Sequence, residues 1–262
     1  MTDGLDEGRR AAPPDIPSEL ALLPLGGIVV YPYAVTPLAI GQAASVQLID
    51  DALRDVPLIG LVALRGGGPR PEQISAEQCF AVGTAAVVHR LLRLPDNTLR
   101  VAAQGVARIA IDALVATQPY LRARVRLLDE PPPDTNAARL TRTVLALVGE
   151  LASAVPTFGA DLQAELLADE GPDRLAYLVA ASGLPHSTLA ERQQLLEIDG
   201  ATGRLDLVRA LLERELDLAR RAQPNAPATH APLLQRRAEL LDLPLVQEIL
   251  AVGRDEGRRR GK

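Results

Sequence analysis

Lysine is nearly missing from this chain. The 262 residues hold 28 basic side chains, and the only lysine among them is Lys262, the last residue. A phosphate-cradling P-loop needs a glycine-rich turn followed by a lysine that reaches the terminal phosphates. A chain terminus is also a poor place for a preorganised general base. Cysteine is represented once, by Cys79, which excludes an internal disulfide and any multi-cysteine metal site. Its apolar neighbours Phe80, Ala81 and Val82 point to a buried, inert thiol. Tryptophan is absent and aromatics make up 2% of the chain, so the core has to be built from Leu, Val, Ile and Ala. No apolar run reaches the ~18 residues of a membrane span. The first fifteen residues are polar and acidic where a secretory signal would be basic and then apolar, so a cytoplasmic location is expected. His89, His186 and His230 fall in separate segments without ligand spacing, and no metal or cofactor is expected. No G-x-S-x-G elbow occurs either.

What is present is a 47% apolar chain, ample for a core. Its net charge of −5 is unevenly spread. Residues 79–128 carry seven Arg against Asp96 and Asp112, a local +5, while residues 129–222 carry nine basic and sixteen acidic side chains, a local −7.

Pro, Gly and charge dominate residues 1–18, which read as a leader. Strands are expected near Leu20–Leu25, Ile28–Tyr31 and Thr36–Ile40, then a helix over Ala43–Arg54 with Val46, Ile49 and Leu53 on one side. Leu58–Leu64 is strand-like and ends in the loop Gly66–Pro69. Phe80–Leu94 reads as one long bent strand. Pro95-Asp96-Asn97 turns it into Thr98–Ala103, Gly105 is expected to break that partner before Val106–Leu114, and Tyr120–Leu128 completes the set. So many short strands at these intervals predict a closed or nearly closed barrel. Pro131-Pro132-Pro133 can sit in neither a helix interior nor a central strand, and marks a boundary. Beyond it the period turns helical: Asp134 or Thr135 to about Val155, Ala160–Ala168, a third helix opened by Pro172 and closed at Gly183, a fourth capped by Thr188 with Glu191, and a fifth over Thr202–Arg221. The divisions are therefore 1–18, a barrel over 19–130, a helical bundle over 134–222, and a linker with short helices and a basic tail over 223–262.

Leu23-Pro24-Leu25, the run Ile28–Tyr31, Pro32, Pro37-Leu38, Val82-Gly83-Thr84, Leu94-Pro95-Asp96, Gln104-Gly105-Val106 and Pro119-Tyr120-Leu121 together resemble the amino-terminal substrate-binding domain of the Lon protease family. The resemblance covers residues 20–222. It implies an α+β fold, a PUA-like β pseudo-barrel followed by an α-helical bundle. It also implies a protein-binding role. Lon cleavage uses a Ser activated by a Lys, and neither that dyad nor a P-loop is expected here. The expectation is thus a non-enzymatic, stand-alone recognition module for unfolded or degron-bearing segments, supporting a separate protease or chaperone. An RNA-binding module is the competing reading, because PUA-like barrels elsewhere contact RNA and the local +5 supplies the charge. The bound partner and the oligomeric state stay open.

Five residues are candidates for peptide contact. Tyr31 and Tyr33 flank Pro32 and either present an apolar platform or tuck against the barrel as a strand end. Arg122, Arg124 and Arg126 alternate along one strand, which places all three on one face. That face is either an ordinary solvated one or an attractor of acidic peptides or phosphates, with Arg90, Arg93, Arg100 and Arg108 as candidate extensions. In Lon proteins the position of Tyr33 is more often Gly, and Gly26-Gly27 stand in place of an Arg-Asp pair.

Overall fold

The fold was analysed in a computed structural model that describes residues 15–66, 74–155, 158 and 171–222. Residues 1–14 of the leader expected at 1–18 lie outside these residues, as do the segments expected at 160–168 and 223–262 and most of the Gly66–Pro69 loop.

Six strands come first: β1 (Glu19–Leu25), β2 (Val35–Ile40), β3 (Leu58–Ala63), β4 (Val82–Arg93), β5 (Leu99–Ala116) and β6 (Arg122–Leu127). A helix, α1 (Ala43–Ala52), separates β2 from β3. The sheet runs β2-β5-β4-β3-β1-β6, and β6 pairs back onto β5. Five strands therefore close a ring, and β2 lies outside it along the first half of β5. Length makes this possible. The 18 residues of β5 give residues 99–104 to β2 and residues 109–116 to β6, while β4 pairs with it from Leu99 to Ala110. Only the β1–β3 pair is parallel, because β2 and α1 form the crossover between them.

Apolar side chains pack on both faces of the ring, because successive residues of a strand point opposite ways. Leu22, Val62, Ile109, Ala123 and Val125 fill the inside, with Cys79 buried beside them. Leu23, Ile59, Leu61, Val88 and Val101 face outward, where Ile40 of β2 and Val46, Leu48 and Ile49 of α1 cover them.

Two strand expectations fail for one reason. Ile28–Tyr31 is not a strand, and Gly105 does not interrupt β5. The 28–34 segment crosses over the sheet instead of joining it. The buried Thr84 hydroxyl donates to the Val30 carbonyl (2.6 Å), the Tyr33 N–H donates to the Gly105 carbonyl (2.9 Å), and the Gly105 N–H donates to the Ala34 carbonyl (3.0 Å). A Cβ on residue 105 would overlap the Tyr31 carbonyl oxygen, so glycine permits the crossing. The register shift beside it, where Ala85 faces Ala107 and Ala86 faces Gly105, absorbs Val106 as a bulge.

Four helices follow among the described residues: α2 (Ala137–Ala154), α3 (Pro172–Ala181), α4 (Leu189–Glu197) and α5 (Ala201–Ala222). Local chemistry sets their starts. The Asp134 carboxylate accepts from the N–H groups of Asn136 (2.8 Å) and Ala137 (3.1 Å), and its pKa is lowered, first by the hydrogen bond from the Thr202 hydroxyl. Pro172 opens α3. Thr188 and Glu191 form the reciprocal capping box of α4. On α5 the stripe Leu205, Val208, Leu212 and Leu216 is buried against α2 and α3. The bundle core is not separate from the barrel: Val29, Tyr31, Ala34 and Ala63 belong to it.

Candidate functional site

The seam between barrel and bundle gathers most of the chain's few aromatics. Tyr31 and Tyr177 stack with ring centres 5.9 Å apart, and Tyr33 lies 6.2 Å from Tyr177 at a tilt. Phe158 is buried in the same cluster, and Phe80 packs against it beneath the Arg65 guanidinium, 4.6 Å from the ring centre. The two neighbouring tyrosines do different things. Tyr31 is 2% exposed and donates its hydroxyl to the Arg192 carbonyl of α4 (2.9 Å). Burial pushes that hydroxyl above the ordinary tyrosine range, with Arg192 opposing the shift. Tyr33 is 41% exposed, and the Arg174 guanidinium lies 5.7 Å from its ring centre. Its φ of +66° falls in the left-handed region that favours glycine. Ile28, in the same loop, is 40% exposed. At the seam Tyr33 is therefore partly open to solvent, while Tyr31 is closed off inside it.

Beneath the aromatics lies an ionic knot. Arg108 of β5 and Arg204 of α5 both have side chains that are 0% exposed. All five N–H groups of Arg108 find acceptors. Nε donates to Glu130 (2.8 Å), Nη1 to the carbonyls of Leu196 and Ile198 (3.1 Å each), and Nη2 to the Asp129 carbonyl (3.2 Å) and the Asp199 carboxylate (3.0 Å). Arg204 donates from both Nη atoms to Glu130, from Nη1 to the Tyr177 hydroxyl and from Nη2 to Asp173 (2.9 Å). Its guanidinium also lies over the Tyr177 ring at 4.6 Å, while Tyr177 donates to Glu130 (3.1 Å). Glu130, the last residue before the three prolines, is thus shared by an arginine from each half. Such a knot holds the bundle in one orientation on the barrel, because separating the halves would strand two guanidinium charges.

Arg108 is accordingly not part of an electropositive surface. The outer face of the barrel at Thr84 and Arg108 is covered by α4, whose Gln193 donates to the Val82 carbonyl (3.0 Å). Arg93 is engaged too, by Asp50 (2.7 Å) and Asn97 (2.6 Å). Arg122, Arg124 and Arg126 are all exposed, with Ala123 and Val125 buried between them. They stand on the outward face of β6.

Sequence reasoning overlooked Arg204 and Glu215, although a signal existed. Both occupy positions on the apolar stripe of α5, where an unpartnered charge would be untenable. Glu215, 5% exposed, accepts from the His186 backbone N–H (2.9 Å) and lies 2.7 Å from His186 Nδ1, tying the α3–α4 loop to α5. Among the described residues no group of three or more His, Cys, Asp and Glu is placed to hold a metal ion. No helix among them is long and apolar enough to cross a membrane.

Residues 19–214 match the family model of the ATP-dependent protease La (LON) substrate-binding domain. Lon protease 1 of Herpetosiphon aurantiacus is 37% identical over 206 residues, which are 78% of this chain and 25% of that protein. The Lon protease of Dictyoglomus thermophilum is 34% identical over 207 residues, with the same shares. The chain thus spans about a quarter of the length of the curated relatives it matches. Two solved structures share the fold. The amino-terminal domain of a Mycobacterium avium complex Lon protease superposes with a TM-score of 0.56 at 22% identity, covering 74% of this chain and 98% of that one. A Lon N-terminal domain protein from Xanthomonas campestris gives 0.52 at 19% identity, covering 73% and 97%. The match runs through both the barrel and the bundle, and this chain belongs to the LON substrate-binding domain family.

Proposed function

We propose that these residues form a recognition module that binds unfolded or degron-bearing protein segments and performs no bond-breaking chemistry itself. The observation that carries this reading is the match of residues 19–214 to a substrate-binding family, across barrel and bundle alike. The exposed pair Ile28 and Tyr33 at the seam is the contact surface. Apolar side chains of an unfolded segment gain by leaving water against such a surface, and few folded proteins present them. Binding is weak and tolerant of sequence, because the surface is shallow and makes few directed hydrogen bonds.

Proteolysis and ATP hydrolysis would fall to residues other than these 262, whose one lysine is Lys262. The module would bias which chains reach a Lon-type protease or a chaperone.

The test is association of the purified protein with a reduced, carboxymethylated protein that cannot refold, measured by isothermal titration. Saturable binding with a negative heat-capacity change is expected, and Tyr33→Ala should weaken it about three- to tenfold. Absence of binding to several unfolded proteins would overturn the reading.

A further inference from the structure

We infer that the outer face of β6 is a docking strip for acidic, extended polypeptide. This rests on the protein-binding reading above and specifies a substrate class for a second surface of the domain.

Three observations carry it. Arg122, Arg124 and Arg126 point outward from one strand, so their side chains repeat every ~7 Å, twice the rise of a strand residue. An extended polypeptide with carboxylates at alternate positions has the same repeat. The strip is also rigid and open. β6 is hydrogen-bonded on both edges, to β1 and β5, so a partner cannot add as a further strand and must be read by side chains. The cross-strand neighbours Ala21, Ala113 and Ala116 are small and leave the guanidinium groups standing clear.

The resident acids hold the row loosely. Glu19 reaches Arg122 only at 3.9 Å, with both side chains nearly half exposed. Asp112 pairs with Arg126 at 3.2 Å, and both are again well exposed. Arg124 has no carboxylate partner among the described residues, although Glu19 sits opposite it in the ladder. Exposed pairs of this kind are worth little, so an incoming carboxylate displaces them readily. Three cations against two acids leave an excess positive charge on the strip. The acidic partner is polypeptide, not nucleic acid, because the one ring within electrostatic reach of Arg122, that of Tyr120, cannot alone stack successive bases. The nearest ring in sequence, Tyr120, turns its hydroxyl to Asp51 (3.3 Å).

The experiment is fluorescence anisotropy with labelled peptides of about ten residues that alternate Glu with Ser, a matching Lys-Ser peptide, and a single-stranded oligo(dT) of similar length. The Glu peptide should bind, and the Lys peptide should not. Affinity should fall steeply between 0.1 M and 1 M salt, as the screening length drops from about 10 Å to about 3 Å. Arg124→Ala should weaken binding about two- to threefold, and the triple alanine variant about tenfold or more. Arg124→Glu, at an exposed position with no pair to lose, should abolish binding of the Glu peptide and admit the Lys peptide. Equal binding of the two peptides, indifference to these substitutions, or tighter binding of the oligonucleotide would each overturn the inference. A reduced protein blocked with iodoacetamide, which adds no charge at cysteine, serves as the reference ligand. Its retention by the triple variant leaves the general reading standing if the strip fails, and its failure to bind wild type removes that reading independently.

Discussion

Glu130→Gln tests the ionic knot most sharply. The carboxylate serves Arg108 Nε at 2.8 Å, both Nη atoms of Arg204 and the Tyr177 hydroxyl at 3.1 Å. Glutamine keeps nearly the same shape but removes the charge, and it turns one acceptor into a donor facing a donor. Arg204 would retain Asp173 at 2.9 Å. Arg108 would retain three carbonyls and Asp199, whose own side chain is 77% exposed. Breaking a buried ion pair from one side costs about 3–5 kcal/mol, because the remaining charge stays in the interior. Glu130 is itself 23% exposed, which selects the lower end, about 3 kcal/mol. For a chain of this size that is a fall in Tm of roughly 6–12 °C. The protein has no tryptophan, so far-ultraviolet circular dichroism is the probe. Glu150→Gln is the control. It breaks the Arg220 pair, in which both side chains are more than half exposed, and should cost less than about 0.5 kcal/mol. If Glu130→Gln unfolds within about 1 kcal/mol of wild type, the knot does not hold the halves together.

Other perturbations have definite outcomes. Gly105→Ala should destabilise by several kcal/mol, seen as a large drop in the urea midpoint, because the new methyl group meets the Tyr31 backbone and cannot be accommodated by a side-chain shift. Thr188→Ala removes the α4 capping box and should cost about 1 kcal/mol in the same assay. Glu191 is held at about 2 against an ordinary 4.5, first by its hydrogen bonds from Arg214. Its folded-state pKa is depressed, so its contribution is complete above about 4.5 and disappears as pH falls through about 2. The Tm gap between wild type and Glu191→Gln should therefore close across that window. Tyr31→Phe should cost about 1 kcal/mol of stability for its lost hydrogen bond and leave binding of unfolded protein unchanged, whereas Tyr33→Ala should weaken that binding.

Most of the architecture could be read from local chemistry. Alternation and turn residues located all six strands, with β5 split in two at Gly105, and Pro172 and the Thr188–Glu191 spacing marked two helix starts to the residue. The errors share a tertiary origin. Ile28–Tyr31 has strand composition, but its backbone groups are satisfied by the Thr84 side chain and by neighbours across Gly105, which no local pattern encodes. Arg108 lies on an outward strand face, yet the bundle that covers this face is supplied by residues far along the chain. A triple proline reads as a simple boundary, and nothing local shows that the residue before it is clasped from both sides. The seam was half visible: scarcity of aromatics drew attention to Tyr31 and Tyr33, but only the fold distinguishes the buried ring from the exposed one.

We propose that this domain holds unfolded polypeptide without cutting it. Titrating a carboxymethylated, permanently unfolded protein into the purified domain, then following the mixture by gel with ATP present, addresses it directly. Saturable binding with the polypeptide left intact is predicted. No binding at high micromolar concentration, or fragments that appear with time and depend on this chain, would contradict it.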